Sequence, residues 1–208
     1  MNNINLISHP LIEHKLAILR DKNTKSFQFR MLIDEISSYL LYEATKDLKL
    51  KNISVNTPIA KTNAKRLEQK IMICPILRAA LGMLDSVFKL IPDASVGFLG
   101  LARNEKTLES EFYFQKLPKD ASSRLAIIID PMFATGATAI KACDFLKEKN
   151  IKNIKFISIV ASPFGLEQFN KFHKDVQVYT ASIDECLNND GYIVPGLGDA
   201  GDRVFNTL

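Results

Sequence analysis

The stretch Leu125–Leu146, "LAIIIDPMFATGATAIKACDFL", decides the fold class. Leu125 to Ile129 form an unbroken apolar run of strand length, the pattern of a strand buried on both faces in a helix-covered parallel sheet. The run stops at Asp130, and small and hydroxyl-bearing residues follow. From Ala137 onward Ile140, Cys143 and Leu146 recur at helical spacing, so a helix is expected to start there and lay those side chains on the sheet. Residues Ala134 to Thr138 then form a turn at a helix N-terminus, where unpaired amides and about half a positive charge suit a phosphate. Thr135 and Thr138 add hydroxyl donors, and Gly136 allows close approach of the backbone. A plain βα turn, with threonine capping the helix and Asp130 as turn former, uses the same residues. No Lys-Ser/Thr pair and no GxGxxG is present, so the turn is neither a Walker loop nor a dinucleotide fingerprint. Its distinct element is the carboxylate of Asp130 set before the turn, at a spacing suited to sugar hydroxyls.

Working outward, the strand candidates "KIMICPIL" (70–77), "ASVGFLGL" (94–101), "NIKFISIVA" (153–161) and "VQVYTA" (176–181) alternate with the helix candidates "RAALGMLDSVFKL" (78–90) and "GLEQFNKFH" (165–173). This alternation predicts an α/β fold, a parallel sheet with helices on both faces, whose ligands sit at the carboxyl ends of the strands. Apolar residues at three- and four-residue steps predict a long amphipathic helix over Ser26 to Lys46. The polar segment 52–69 holds one short strand signal, "NISVN", and "EFYFQKL" (111–117) reads as a strand of a β-arm after the irregular stretch 103–109. The tail 182–208 is rich in glycine and shows no helical period, although Ile193, Val194 and Leu197 among the glycines argue for an ordered loop.

A chain of 208 residues, 47% hydrophobic and 24% charged, fits one globular domain over 1–208. Within that single domain an N-terminal helical segment of about 1–50 and a glycine-rich C-terminal segment of about 182–208 are set apart. The net charge of +4 comes from 27 basic residues scattered among 23 acidic ones, which implies a mild anion preference and no nucleic-acid face. No apolar run approaches the roughly 18 residues of a spanning helix, and "MNNINLISHPLIEHK" lacks signal-peptide features, so a cytoplasmic location and no membrane partner are expected. Cys74, Cys143 and Cys186 are widely spaced and support neither a disulfide framework nor a zinc site. His9, His14 and His173 are assigned surface or structural roles.

"DPMFATGAT" resembles the phosphoribosyl-diphosphate loop of the type I phosphoribosyltransferases, and its Asp-Pro form is similar to that of the uracil-specific branch. "PILRAALGM" (75–83), "ARNEKTLE" (102–109) and "YTASIDECLNNDGYIVPGLGDAGDR" (179–203) agree, so the resemblance runs in order over nearly the whole chain. It implies transfer of a 5-phosphoribosyl group from 5-phosphoribosyl 1-diphosphate to uracil, giving UMP and diphosphate. By the same resemblance Asp130, Pro131, Met132, Phe133, Ala134, Thr135, Gly136, Ala137 and Thr138 hold the 5-phosphate and ribose, with Asp130 accepting the ribose hydroxyls. Arg78 and Arg103 match diphosphate-contacting arginines, Arg103 on a mobile arm that closes over the reaction. Guanidinium groups suit this role because their fork pairs phosphate oxygens and stays charged. The tail matches a hood that reads uracil through backbone groups around Ile193, Gly198 and Ala200, with Asp199 at the substrate and Tyr192 as a wall.

Mg²⁺ is implied as cofactor, held by diphosphate and hydroxyl oxygens with no dedicated protein ligand. The family also includes members activated by GTP and members that form dimers or larger homo-oligomers; the long N-terminal helix suits an oligomer. Two positions depart from the family pattern. Ala137 stands where Gly-Gly-Ser is usual and would be strained if a positive φ were required there, and Ala80 stands where "LRAGLGM" is usual. Two other readings are a phosphoribosyltransferase for another base and a catalytically silent nucleotide- or RNA-binding regulator on the same fold.

Overall fold

The computed structural model describes residues 3–103 and 110–207, the side chains of Arg103 and Ser110 excepted. The elements in chain order are β1 (Ile4–Leu6), α1 (Pro10–Arg20), α2 (Ser26–Ala44), β2 (Leu50–Asn56), β3 (Lys61–Leu67), β4 (Ile71–Leu77), a 3₁₀ turn (Ala79–Met83) and α3 (Leu84–Leu90). There follow β5 (Ser95–Val96), β6 (Phe98–Arg103), β7 (Ser110–Lys116), β8 (Leu125–Ile129), β9 (Met132–Phe133), α4 (Ala137–Glu148) and β10 (Ile154–Ala161). The chain closes with α5 (Pro163–Phe172), β11 (Gln177–Ile183), β12 (Cys186–Leu187), β13 (Ile193–Val194) and α6 (Ala200–Phe205).

Among the described residues the main sheet runs β1-β11-β10-β8-β4-β6-β7, with β5 beside β4 and β9 beside β10. All of these pairings are parallel except β6 with β7. Alternation along β8 divides the core in two. Leu125, Ile127 and Ile129 face Phe29, Ile33, Ile36 and Leu40 of α2 in one cluster. Ala126 and Ile128 face Cys143 and Leu146 of α4 and Phe169 of α5 in the other. Burying each large aliphatic side chain contributes roughly 1.5–3 kcal/mol, so both helical layers are anchored by this one strand's two faces. The amphipathic reading of α4 is met, since Cys143 and Leu146 are fully buried.

Several expectations are corrected. The N-terminal segment is not wholly helical: Ile4–Leu6 extends the sheet beside β11 before α1 begins. The long helix stops at Ala44, short of Lys46. The segment expected to hold a single strand is the antiparallel hairpin β2–β3, and the helix expected from Arg78 opens as a 3₁₀ turn. The tail expected to lack helix carries α6, too short at six residues to display a period. Asp199 caps it, its carboxylate accepting from the Asp202 amide at 2.9 Å. Among the described residues no helix is long and apolar enough to cross a membrane.

Candidate active site

The parallel strands bring Leu77–Arg78, Asp130 and the start of the hood to one edge of the sheet, where β4, β8 and β11 end. Two adjoining chambers lie there. The smaller, about 70 Å³, is lined by Asp130, Met132, Phe133, Ala134, Thr135, Gly136 and Thr138 of the turn expected to hold phosphate. The larger, about 240 Å³, is lined by Tyr192, Ile193, Gly198, Asp199 and Ala200 of the hood. Met132 and Ala134 border both.

The turn forms because β9 carries the chain one step further along β10, with Met132 and Phe133 opposite Val160 and Ala161. The Pro131 carbonyl accepts the amides of both Ile159 and Val160, and the Phe133 ring packs edge-on against Phe156 and Phe169. Pro131 and Phe133 thus anchor the turn from behind, and Pro131 borders neither chamber. Gly136 takes φ +81° and caps α4, while Ala137 is the first helical residue. The departure from Gly-Gly-Ser is therefore unstrained, and Ala80 lies buried in the 3₁₀ turn without a positive φ.

Asp130 is half-buried, and its Oδ1 accepts the Met132 amide at 3.2 Å. Burial pushes its carboxyl up to about 7, and the amide hydrogen bond only partly opposes the rise.

Two residues that sequence reasoning missed buttress the turn. Ser162 Oγ donates to the Ala134 carbonyl at 2.5 Å and accepts the Gly165 amide at 2.9 Å, capping α5 at the same time. A Cβ on Gly165 would lie 2.1 Å from the Ala134 carbonyl oxygen, and one on Gly136 would lie 2.6 Å from the Gly165 carbonyl oxygen. The two glycines allow α5 and the turn to touch backbone to backbone. The readable signal was "SPFG", a glycine in the first turn of a helix, where it is unfavourable unless something approaches closely.

The expected uracil-reading residues Ile193, Gly198, Asp199 and Ala200 all come together on the larger chamber, and Tyr192 walls it. Gly198 takes φ +79°, and Ile193, Leu197, Ala200 and Val204 are buried, so the hood is an ordered structure. Its last helix is fixed to α2 by the Arg30 guanidinium, which donates to the Val204 carbonyl at 2.7 Å. Arg78 follows β4 and borders neither chamber; its side chain is 63% exposed, with the guanidinium 3.9 Å from Asp202 Oδ1 of α6. Arg103 ends β6, and its side chain and residues 104–109 of the expected closing arm lie outside the described residues.

The family profile described as uracil phosphoribosyltransferase matches residues 6–207. A protein of that name from Campylobacter jejuni is 71% identical over 208 residues, covering 100% of both chains. The solved structure of a protein from Aquifex aeolicus superposes with a TM-score of 0.91 at 40% identity, covering 97% of each chain. An adenine phosphoribosyltransferase from Trypanosoma brucei shares the fold, with a TM-score of 0.62 at 11% identity over 96% of this chain and 89% of that one. With a family profile spanning residues 6–207 and a full-length relative at 71% identity, the chain belongs to the uracil phosphoribosyltransferase family.

Proposed function

We infer that the protein transfers the 5-phosphoribosyl group of 5-phosphoribosyl 1-diphosphate to uracil, releasing diphosphate and forming UMP, a pyrimidine-salvage reaction. The observation that carries this reading is the pair of adjoining chambers, one built on a phosphate turn and one on a hood, with Met132 and Ala134 between them. The smaller would take the 5-phosphate on the turn and the ribose hydroxyls on Asp130. The larger would take the base against Ile193, Gly198, Asp199 and Ala200, whose fixed donors and acceptors reject a base with the wrong edge.

The bond from the anomeric carbon to diphosphate breaks, the electron pair leaves with diphosphate, and a uracil nitrogen attacks from the opposite face, its proton passing to the released diphosphate or to water. No covalent nucleophile is required. Arg78 and Arg103 are assigned to the diphosphate, where their charge stabilises the leaving group. Exposure of Arg78 and its long contact with Asp202 leave it able to exchange that partner for a phosphate oxygen. The side chains bordering the chambers include the oxygen donors Asp130, Thr135, Thr138 and Asp199, the chemistry a hard cation accepts. Mg²⁺, carried chiefly by diphosphate oxygens, would supply further charge neutralisation there.

A homo-oligomer is supported by exposed apolar side chains on α1 and α2, among them Leu11, Phe27, Met31 and Tyr42. Activation by GTP enters as a property to be tested. Diphosphate release is measured with Mg²⁺ and uracil, orotate, hypoxanthine or no base, each with and without GTP. Release with uracil alone is the expected result. Release with another base instead, or silence with every base despite tight ligand binding, overturns the reading.

A further inference from the structure

Arg20, the last residue of α1, lies 176 positions before Gly196 in sequence, yet its guanidinium donates to the Gly196 carbonyl at 2.7 Å. The same guanidinium takes both oxygens of Asp184, at 2.6 and 2.7 Å, and reaches Ser182 Oγ at 3.0 Å. Asp184 is 2% exposed at its side chain and also accepts the Gly196 amide at 2.8 Å and Ser182 Oγ at 2.7 Å. One ion pair therefore grips Gly196 at both its N–H and its C=O. Gly196 has φ +57°, and a Cβ there would lie 2.1 Å from the Ile193 carbonyl oxygen, so the backbone is pressed onto a residue that lines the base chamber. Gly198, two positions on, borders that chamber.

Burial works to raise the Asp184 carboxyl, but the hydrogen bonds from Arg20, Ser182 and Gly196 outweigh it and hold the group below its ordinary value, keeping it ionised. A buried ion pair is a weak source of stability, because desolvation offsets most of its attraction. Its planar fork does fix direction, which a point charge or an apolar contact cannot do.

We propose that Arg20, clamped by Asp184, is a positioning residue for the base-binding hood: it holds Gly196 and thereby sets the backbone of Gly198 to Ala200 against uracil. This rests on the reading of the hood as the uracil site. Arg20 touches no reacting atom, so its loss acts on base binding ahead of chemistry.

The test is steady-state kinetics of the full-length protein carrying Arg20→Lys, which keeps the charge and loses the fork, beside wild type and Gly198→Ala, which alters the chamber wall itself. The expected result is a KM for uracil raised about tenfold, short of the roughly hundredfold loss that a 1 Å misplacement can cause, with KM for 5-phosphoribosyl 1-diphosphate unchanged. If folded Arg20→Lys keeps the wild-type KM for uracil while Gly198→Ala raises it, the clamp is wrong and the hood reading stands. If neither variant moves that KM, the hood reading fails and the clamp proposal with it. A parallel rise in both KM values, or a fall in kcat alone, also overturns the proposal as a merely structural effect. Should Arg20→Lys not fold, Asp184→Asn, which keeps the side-chain shape but removes the charge that the Arg20 fork pairs with, decides by the same split.

Discussion

The turn before α4 and the C-terminal hood each border a chamber at the same edge of the sheet, but the first is held mostly by its neighbours in the chain and the second by distant elements. The turn is a short contiguous stretch between β8 and α4, and its shape follows from a glycine at φ +81°, a strand pairing and a helix start. The hood gathers its supports from across the chain: Arg203 donates to the Leu197 carbonyl at 2.7 Å and to the Asp21 carbonyl at 2.6 Å, over the ring of Phe29 at 4.3 Å. Local geometry of the turn's kind can be encoded by a few neighbouring residues, whereas the position of the hood depends on distant elements. On the proposed assignment of phosphate to the turn and base to the hood, base specificity can be altered without touching phosphate binding.

The largest effect that would break this contrast is expected from Gly165→Ala, because the turn too rests on one distant contact. The new Cβ would fall 2.1 Å from the Ala134 carbonyl oxygen, and backbone must move. We predict a fall in kcat/KM for 5-phosphoribosyl 1-diphosphate of about a hundredfold and a stability loss of about 1–3 kcal/mol, checked by kinetics and thermal melts. An unchanged value would show that α5 does not support the turn.

Next comes Asp130→Asn, expected to lower the same kcat/KM by about ten- to a hundredfold through lost hydrogen bonds to a charged group. With its carboxyl at about 7, wild type should lose kcat/KM for 5-phosphoribosyl 1-diphosphate as pH falls through that value, since the protonated acid is a poorer acceptor. The variant should lack that step. The stability of the free protein runs the other way. Between the ordinary value of 3.8 and about 7 the folded chain holds a proton that the unfolded chain has released, so stability falls as pH rises through that window. Melting temperatures of wild type against Asp130→Asn across this range check the sign.

Arg203→Met sharpens the comparison from the hood side. It keeps an apolar stem near Phe29 but leaves the Leu197 and Asp21 carbonyls without their guanidinium partner, a cost of about 1–3 kcal/mol. KM for uracil should rise several-fold with KM for 5-phosphoribosyl 1-diphosphate unmoved; equal changes in both would dissolve the distinction between the two regions. The smallest effect is expected from Ala137→Gly, which restores the usual family residue. Ala137 is already helical, so kinetics should stay as in wild type while stability drops by about 0.5–1 kcal/mol.

By itself the sequence determined the alternating architecture, the strand ending before Asp130, the helix opening at Ala137 and the glycine turn between them. These rest on short-range physics: uninterrupted apolar runs, helical spacing and a glycine turn are written in adjacent positions. It could not show that Ile4–Leu6 joins the sheet, because three residues carry no period, nor that Ala200–Phe205 is a helix. That helix is decided by burial of Val204 and by partners on α2. Arg20 with Asp184 was likewise beyond the sequence, whereas Gly165 left a trace in "SPFG" that announces a close approach without naming Ala134 as the partner. A charge acquires such a role only when folding brings a distant backbone group within hydrogen-bonding reach, and nothing near it in the chain records that event.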